Sequence, residues 1–335
     1  MRRKALLGAL TATAVVASVL TASVASAEAA SARITVSDQV TGPAIPAELI
    51  GVNHRWPNAG LGMWDAEADR PDPTIVDMSK RAGLGVVRYP GGTVANLFHW
   101  KKAIGPQSER GCQVGGGFVG GREPMDSVYG VDEHQRYVAE IGASTQMMVN
   151  ASTAPVSEIA DFVEYMNAPL GSNPNGGTEW AKVRAGNGHP EPYDVRWWEV
   201  GNELYLGNQL YWRSADLEVS MRQHAFGGTQ RHTDQPLGTE CDFRPTAGVS
   251  DGTAGQDFRV NFPPVVPDSQ TVRIAGDTWT EVADLSTAGP DENVYTFDPK
   301  TGAVGFGDGV HGAIPPDGSA LTADYDSGPH PGFVD

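Results

Sequence analysis

One stretch of the sequence ends an apolar segment with an amide and a carboxylate side by side. This stretch is Trp197-Trp-Glu-Val-Gly-Asn-Glu203. A carboxyl group that indole rings partly desolvate is shifted toward its neutral form, which is the form a general acid requires. Asn202 could hydrogen-bond a substrate hydroxyl, and Gly201 could kink the strand so that Asn202 and Glu203 reach one pocket. The alternative for Glu203 is a solvated carboxylate that caps the next segment.

A charged side chain also interrupts a second apolar segment. Arg88 lies in Gly85-Val-Val-Arg-Tyr89, which is typical of a buried strand and is followed by Pro90-Gly91-Gly92. Burying a guanidinium is costly unless a carboxylate pairs with it. We therefore expect Arg88 to face an acidic side chain, either within a functional site or as a purely structural ion pair.

Strand and helix patterns alternate between residues 49 and 200. The predicted strands are 49–54, 85–89, 145–150 and 194–200, and the predicted helices between them end at Gly83, Gly142 and Pro169. Four strands separated by helices indicate an α/β fold with a parallel sheet, either doubly wound or a (β/α)₈ barrel. The long loops follow the carboxyl ends of the strands, where both architectures place chemistry.

The pattern changes at about residue 255. Short alternating segments follow, and the predicted strands are 271–274, 294–297, 303–306 and 321–325. Asp298-Pro-Lys-Thr-Gly302 between two of them is typical of a turn. The sequence thus predicts a small β-rich module over residues 255–325, and the last residues, 326–335, are typical of the beginning of another helix.

The first 27 residues have the parts of a secretory signal peptide. Arg2, Arg3 and Lys4 precede an apolar segment that leads to Ala25-Ser-Ala27. A membrane anchor is the alternative, although the apolar segment is short for a span. We expect a secreted, extracellular protein without membrane contact after cleavage. Export permits a disulfide between Cys112 and Cys241, whose pairing the sequence leaves open.

The charge balance narrows the classes of partner. The 335 residues include 24 Lys and Arg against 41 Asp and Glu, which gives a formal net charge of −17. This excess repels phosphates, and no basic cluster offsets it, so nucleic acid is not an expected partner. The two Cys and eight His residues show no metal-binding spacing, and we expect neither a metal nor a cofactor.

Several stretches resemble, in the same order, the α-L-arabinofuranosidases of glycoside hydrolase family 51, in the retaining (β/α)₈ clan A. These stretches are Arg88–Gly92, His99–Pro106 with Arg110, Tyr129–His134 through Ala143, Met148–Asn150 with Phe162–Asn167, and Trp198–Glu203. The resemblance covers roughly residues 48–206. It implies an incomplete TIM barrel over residues 28–254, the β-rich module as an insertion over 255–325, and the start of the barrel's continuation over 326–335.

The resemblance also implies roles for individual residues. Glu203 would be the catalytic acid/base, Asn202 would hold the sugar 2-hydroxyl, and Arg88 would support the nucleophile electrostatically. Further candidate substrate-binding residues are Thr93, Asn96, Trp100 and Asn150. Thr93 stands where the family usually has Asn. The family's nucleophile, about 5 Å from the acid, lies on the seventh strand, and nothing in this sequence resembles strands five to eight. We therefore expect a truncated or split enzyme.

These expectations amount to a secreted retaining glycosidase that cleaves arabinofuranosyl side chains of plant polysaccharides, with an oligo- or polysaccharide as its partner. The alternative is a non-catalytic carbohydrate-binding protein derived from such an enzyme. A third possibility is an adhesin or assembly protein built around the β-rich module. The module itself could line the sugar cleft, bind polysaccharide, or be a structural appendage.

Overall fold

The computed structural model describes residues 32–40, 42–115, 123–205, 217–330 and 332. The predicted signal peptide, residues 1–27, lies outside them. Residues 1–44 and 45–335 form two separate units. The described residues of the first unit, 32–40 and 42–44, contain no helix or strand, and the described helices and strands belong to the second unit. Among the described residues, no helix has both the length and the apolarity needed to cross a membrane.

The helices and strands of the second unit fall into two groups along the chain. The described strands are β1 (Gly51–Asn53), β2 (Trp64–Asp65), β3 (Arg70–Pro71), β4 (Val86–Tyr89), β5 (Gln113–Gly115), β6 (Glu123–Met125), β7 (Ser144–Val149), β8 (Trp197–Val200), β9 (Gly228–Pro236), β10 (Phe258–Arg259), β11 (Thr271–Ile274), β12 (Asp277–Thr278), β13 (Thr280–Glu281), β14 (Val294–Phe297), β15 (Ala303–Phe306) and β16 (Leu321–His330). The described α-helices are α1 (Pro57–Gly62), α2 (Pro73–Ala82), α3 (Val131–Ile141), α4 (Val156–Asn167), α5 (Trp180–Gly186) and α6 (Leu217–Phe226).

Four of the strands form a parallel sheet. Their order is β1-β4-β7-β8, so each strand of this sheet lies beside the strand of the same sheet that follows it in sequence. The register pairs Asn53 with Arg88 and Arg88 with Gln146. It also pairs Met148 with Glu199. The predicted α/β fold with a parallel sheet is confirmed, and the alternating side chains of neighbouring strands form rows across it.

Local signals fix the helices that cover this sheet. The Asp72 carboxylate accepts hydrogen bonds from the first-turn amides of α2, and Gly83 ends that helix with a φ of 67°. Gly142 ends α3 in the same left-handed conformation. One face of each helix packs against the sheet in a single core, which includes Val76, Tyr137, Phe162, Met166, Val87 and Met147.

The β-rich module consists of two four-stranded sheets. Their strand orders are β10-β15-β14-β13 and β12-β11-β16-β9. They enclose a second core of buried side chains, among them Leu237, Val260, Val272, Trp279, Tyr295 and Tyr325. The predicted strands 271–274, 294–297 and 303–306 have the observed bounds.

The structure corrects both predicted boundaries of this module. It begins near Gly228 rather than at 255, because β9 pairs antiparallel with β16. At the other end, β16 continues to His330, so a helix does not begin in residues 326–330 as the sequence suggested. Residues 331 and 333–335 lie outside the described part of the chain.

Two cross-links join the loop after β4 to the module. Cys112 and Cys241 form a disulfide, with their Cα atoms 5.6 Å apart. Lys102 Nζ lies 3.2 Å from Glu240 Oε1, and the same ammonium donates to the carbonyl of Cys112. The cysteine pairing that the sequence left open thus ties the module to the sheet-bearing part of the chain.

Candidate active site

The candidate site is built around the guanidinium of Arg88. Its Nε donates to Glu199 Oε2 at 2.6 Å and its Nη2 donates to Glu199 Oε1 at 2.5 Å. Nη1 donates to Asn53 Oδ1 at 2.9 Å. Arg88 and Glu199 lie on β4 and β8, with β7 between them, and their side chains are only partly exposed. The carboxylate that Arg88 was expected to face is therefore Glu199.

The environment of Glu199 favours its charged form. Hydrogen bonding to Arg88 lowers the pKa of Glu199, and this outweighs the opposing effect of partial burial. Gln146 on β7 adds a hydrogen bond from its Nε2 to Glu199 Oε2 at 2.9 Å. Both carboxylate oxygens of Glu199 thus accept hydrogen bonds, and it is a charged, fixed group rather than a proton donor.

Asn202 is held from two sides. Its Oδ1 accepts a hydrogen bond of 3.1 Å from Arg88 Nη2. Its backbone N–H donates to Asn96 Oδ1 at 3.0 Å, and its carbonyl accepts from Asn96 Nδ2 at 2.8 Å. Because a guanidinium only donates, Arg88 fixes the orientation of the Asn202 amide and leaves its NH₂ group as the donor for another partner.

Glu203 follows Asn202 where the chain has left β8. Gly201 has a φ of 67° and Glu203 a φ of 49°, so the backbone turns at the predicted glycine. This positive φ is unusual for a glutamate, and such strained residues concentrate at functional sites. The carboxylate is exposed, and Tyr205 Oη lies 3.4 Å from its Oε1.

The expected desolvation of Glu203 by indole rings is wrong. Trp198 packs edge-on against Phe162 in the core, and Trp197 is itself 52% exposed. The two indole rings therefore do not bury the carboxylate.

Thr93 follows the glycine whose backbone approaches Asn202. It begins a short 3₁₀ helix, Thr93–Leu97, directly after Gly92. A β-carbon added at Gly92 would be 3.7 Å from Asn202 Oδ1, which shows how closely this backbone approaches the amide. Thr93 is half-buried, and its contact with a ligand at Asn202 stays a prediction.

Three other predicted substrate-binding residues are used inside the protein. Trp100 is 2% exposed and stacks on Phe162 with ring centroids 5.0 Å apart. Asn96 is fully buried against the Asn202 backbone. Asn150 Oδ1 accepts from the backbone N–H groups of Ser152 and Thr153, and its Nδ2 donates to Thr153 Oγ1. Their positions correct the expectation that these side chains touch a substrate, since they hold the surrounding loops.

Sequence reasoning did not name three polar residues of this site: Glu199, Gln146 and Asn53. Each lies on a strand next to, or one strand away from, Arg88, and each bonds directly into the network. A signal was available for Glu199, because it is a charged residue between apolar neighbours of a predicted strand. Its pairing with Arg88 requires the strand order, which one sequence does not provide.

Comparison with known proteins identifies this segment. Residues 80–226 match the family described as the alpha-L-arabinofuranosidase 1 domain. This segment is α-L-arabinofuranosidase-like. The arabinofuranosidase-like segment runs from α2 to α6 and includes Arg88, Glu199, Asn202 and Glu203.

Individual relatives agree with the family match. An intracellular exo-α-(1→5)-L-arabinofuranosidase of Bifidobacterium longum is 31% identical over 131 residues, which are 39% of this chain and 21% of that protein. A probable α-L-arabinofuranosidase C of Aspergillus flavus is 30% identical over 131 residues, which are 39% of this chain and 24% of that protein. The chain thus spans between a fifth and a quarter of the length of these relatives.

A solved structure also aligns with part of the chain. It is a family 51 α-L-arabinofuranosidase from Bifidobacterium longum, 27% identical, with a TM-score of 0.44. The alignment covers 51% of this chain and 33% of that one.

Proposed function

We propose that this chain carries the acid/base part of a secreted, retaining glycoside hydrolase that removes arabinofuranosyl side chains from plant polysaccharides. The observation that carries the proposal is the Arg88 network. Arg88 orients the Asn202 amide with a hydrogen bond of 3.1 Å, and Glu203 follows on an exposed turn. An oriented amide donor beside a carboxyl group suits a sugar hydroxyl next to a scissile glycosidic oxygen.

In this mechanism Glu203 acts twice. Its protonated form donates to the glycosidic oxygen as the bond to the leaving group breaks, and its carboxylate later removes a proton from the attacking water. The NH₂ group of Asn202 donates to a hydroxyl of the arabinofuranosyl ring. Arg88 and Glu199 keep that amide in place and do not transfer protons.

The retaining mechanism also needs a nucleophilic carboxylate about 5 Å from the acid. Glu199 does not suit this role, because Arg88 and Gln146 occupy its oxygens with hydrogen bonds. We propose that the nucleophile is a further carboxylate, distinct from Glu199 and Glu203, on a seventh barrel strand, as the resemblance to family 51 implies.

Strand order supports an incomplete (β/α)₈ barrel as the framework. A doubly wound sheet reverses its strand order at the ligand site, whereas a barrel places each parallel strand beside the next one along the chain. The observed order, β1-β4-β7-β8, has no reversal. Glu203 then lies at the carboxyl end of the fourth barrel strand, and the β-rich module is an insertion after it.

Secretion is supported by residues 1–27 and by the Cys112–Cys241 disulfide, since such bonds persist in oxidising compartments. Expression in a secreting bacterial host tests this point. N-terminal sequencing of protein from the medium should begin after Ala27, and retention of the intact N-terminus inside the cell would contradict export.

The activity is tested with the Glu203→Gln variant of a full-length version that also supplies the nucleophilic carboxylate. The wild-type form of that version should release arabinose from arabinoxylan, and the variant should lose at least about a hundredfold in rate. The loss should be smaller with 4-nitrophenyl α-L-arabinofuranoside, because an activated leaving group needs little protonation. Glu67→Gln, at an exposed position between β2 and β3, is the matched control.

Two results would reject the enzymatic role. Equal, small losses on both substrates would remove Glu203 from the acid/base position. Wild-type protein that binds arabinoxylan without hydrolysing either substrate would instead be a non-catalytic carbohydrate-binding protein.

A further inference from the structure

A cavity of about 480 Å³ lies between the sheet-bearing part of the chain and the β-rich module. One wall consists of the loops that follow β4 and β7, with His99 and residues 151–156. The opposite wall belongs to the module, with Phe243 and residues 259–264. This volume is within the range of small-molecule sites, and the cavity exists only because the module lies against these two loops.

The cavity adjoins the candidate active site. Ala151 lines it, and a β-carbon added at Gly201 would lie 3.0 Å from Cβ of Ala151. Thr153 lines it as well and donates through Oγ1 to the carbonyl of Asn96 at 3.0 Å. Asn96 in turn holds the backbone of Asn202. A ligand at Glu203 that extends toward Ala151 therefore reaches this space.

The charges along the cavity wall are balanced. Lys102 is paired with Glu240 at 3.2 Å. Arg259 lies 3.5 Å from Asp257. Each of these two cations lies beside a carboxylate, so the wall carries little net charge to attract an anion or a cation, and a neutral ligand is favoured. The buried Nε of Arg259 has no hydrogen-bond partner among the described residues and is a donor for a hydroxyl.

The remaining lining combines apolar faces with hydrogen-bonding groups. Phe243, Phe262, Pro263 and Pro264 supply apolar surface. His99 supplies a polar group whose ring is fixed, because its Nδ1 lies 3.0 and 3.2 Å from the two oxygens of Glu158. Its Nε2 lies 3.4 Å from Thr153 Oγ1. Apolar faces beside hydrogen-bond donors and acceptors match a sugar ring, which has apolar C–H faces and equatorial hydroxyls.

Asn261 can add to this polar set. Within the described part of the chain its buried Oδ1 accepts no hydrogen bond. A rotation of its amide toward the cavity therefore breaks no hydrogen bond at that oxygen. A ligand hydroxyl would satisfy a group that the protein alone leaves unpaired.

We propose that this cavity binds a neutral oligosaccharide, namely the part of the polysaccharide that continues from the sugar held at Asn202 and Glu203. The inference rests on the proposed function, since it extends the same site. It assigns the β-rich module a specific role, which is to close one side of the cleft around the substrate's backbone chain. The disulfide and the Lys102–Glu240 pair hold that wall in position.

Binding measurements on the full chain test the proposal independently of catalysis. The parent protein carries Glu203→Gln, so that it does not cleave the ligand, and an arabinoxylo-oligosaccharide is titrated into it by calorimetry. Thr301→Trp fills the cavity from an exposed turn of the module and should weaken binding about tenfold. Phe243→Ala removes an apolar face and should have a similar effect.

Matched controls separate the cavity from general damage. Thr301→Ser and Val310→Ala, the latter at a 63% exposed module position outside the cavity, should bind like the parent. Methyl α-L-arabinofuranoside, which reaches only Asn202 and Glu203, should bind equally to all variants. Thr301→Trp changes an exposed turn, so it remains informative if Phe243→Ala fails to fold.

The outcomes separate the two proposals. Oligosaccharide binding that Thr301→Trp weakens supports the cavity even if the wild-type chain hydrolyses nothing, in which case only the enzymatic role is lost. Unchanged oligosaccharide affinity in Thr301→Trp overturns the cavity proposal, even if hydrolysis depends on Glu203. Binding of an apolar dye in the cavity without any saccharide binding also overturns it.

Discussion

Arg88 on β4 and Glu199 on β8 form a bidentate ion pair across the intervening strand β7. The Nε–Oε2 and Nη2–Oε1 distances are 2.6 and 2.5 Å. Gln146, on the strand between them, donates to the same carboxylate. A bidentate pair of this kind is strong and directional, because two nitrogens of the guanidinium donate to the two oxygens of the carboxylate at the same time. The pair therefore acts as a rigid support for Asn202, which bonds to the same guanidinium.

Replacing Arg88 with Met should destabilise the protein at neutral pH by about 1–3 kcal/mol, because Glu199 then keeps a partly buried charge without its partner. Urea unfolding measures this free energy. The double variant Arg88→Met/Glu199→Gln should recover part of the loss, since no unpaired charge remains. A double variant as unstable as the sum of the single variants would show that the two residues are not coupled.

The same pair predicts a pH dependence. Arg88 lowers the pKa of Glu199 in the folded protein, so the folded state favours the carboxylate more than the unfolded state does. This stabilisation is present above the ordinary carboxyl pKa and is lost as the pH falls through the lowered value. In Arg88→Met the loss of folding stability at low pH should be smaller. Unfolding curves between pH 3 and 7 for both proteins, on the same buffer series, check it.

Asn96 should control the position of Asn202 without touching a substrate. Its side chain makes two hydrogen bonds to the Asn202 backbone and is fully buried. Asn96→Ala should therefore cost about 2 kcal/mol of stability, because it leaves buried backbone groups unpaired. Its effect on hydrolysis should be mainly in kcat. Ser79→Ala, at a buried position on α2 outside the cavity lining, is the control, and an equal loss of kcat there would contradict the specific role of Asn96.

His54 should make the fold sensitive to mild acid. Burial lowers its pKa from 6.5 to about 4, so the unfolded state takes up a proton first as the pH falls. Stability should decline between pH 6.5 and 4, by up to about 3 kcal/mol from this group. His54→Phe, which keeps the ring beside Tyr137, should flatten that decline, whereas His311→Gln at a half-exposed position should not. Parallel declines in wild-type protein and His54→Phe would contradict the assignment.

The Cys112–Cys241 disulfide should stabilise the chain by about 2–4 kcal/mol, because it closes a loop of 129 residues and restricts the unfolded state. The double variant Cys112→Ser/Cys241→Ser should have a free energy of unfolding lower by that amount and a lower melting temperature. Dithiothreitol should lower the melting temperature of the wild type and leave the variant unchanged. An effect of reductant on the variant would point to another cause.

The sequence could predict the parallel sheet and its helices because their signals are local. Helical periodicity and the stops at Gly83 and Gly142 suffice to place α2 and α3 within a few residues. Strand β9 was missed because Gly228–Pro236 is polar, and only its pairing with β16 makes it a strand. A module boundary that depends on such pairing does not appear in composition.

The candidate site shows the same division between local and long-range information. The turn at Gly201 and a carboxylate partner for Arg88 followed from residue types. That this partner is Glu199, 111 residues along the chain, depends on the strand order. Trp100 was predicted to bind substrate but packs on Phe162 in the core. An aromatic residue that packs in a core and one that stacks on a sugar look alike in sequence.

The backbone of Glu203 predicts a trade-off between stability and activity. A non-glycine residue in the left-handed region destabilises the folded state by roughly 1–2 kcal/mol, and Glu203 lies in this region with a φ of 49°. Glu203→Gly removes the strain but adds chain entropy of about 0.5–1 kcal/mol to the unfolded state. The variant should therefore be as stable as the wild type or slightly more stable, by up to about 1 kcal/mol, while losing hydrolysis. Glu203→Gln, which keeps the strain, should match the wild type in stability, and thermal melts of the three proteins measure the difference. A Glu203→Gly protein that is clearly less stable than Glu203→Gln would mean that the side chain itself stabilises this turn. The strained backbone would then have a structural explanation and would not indicate a catalytic role.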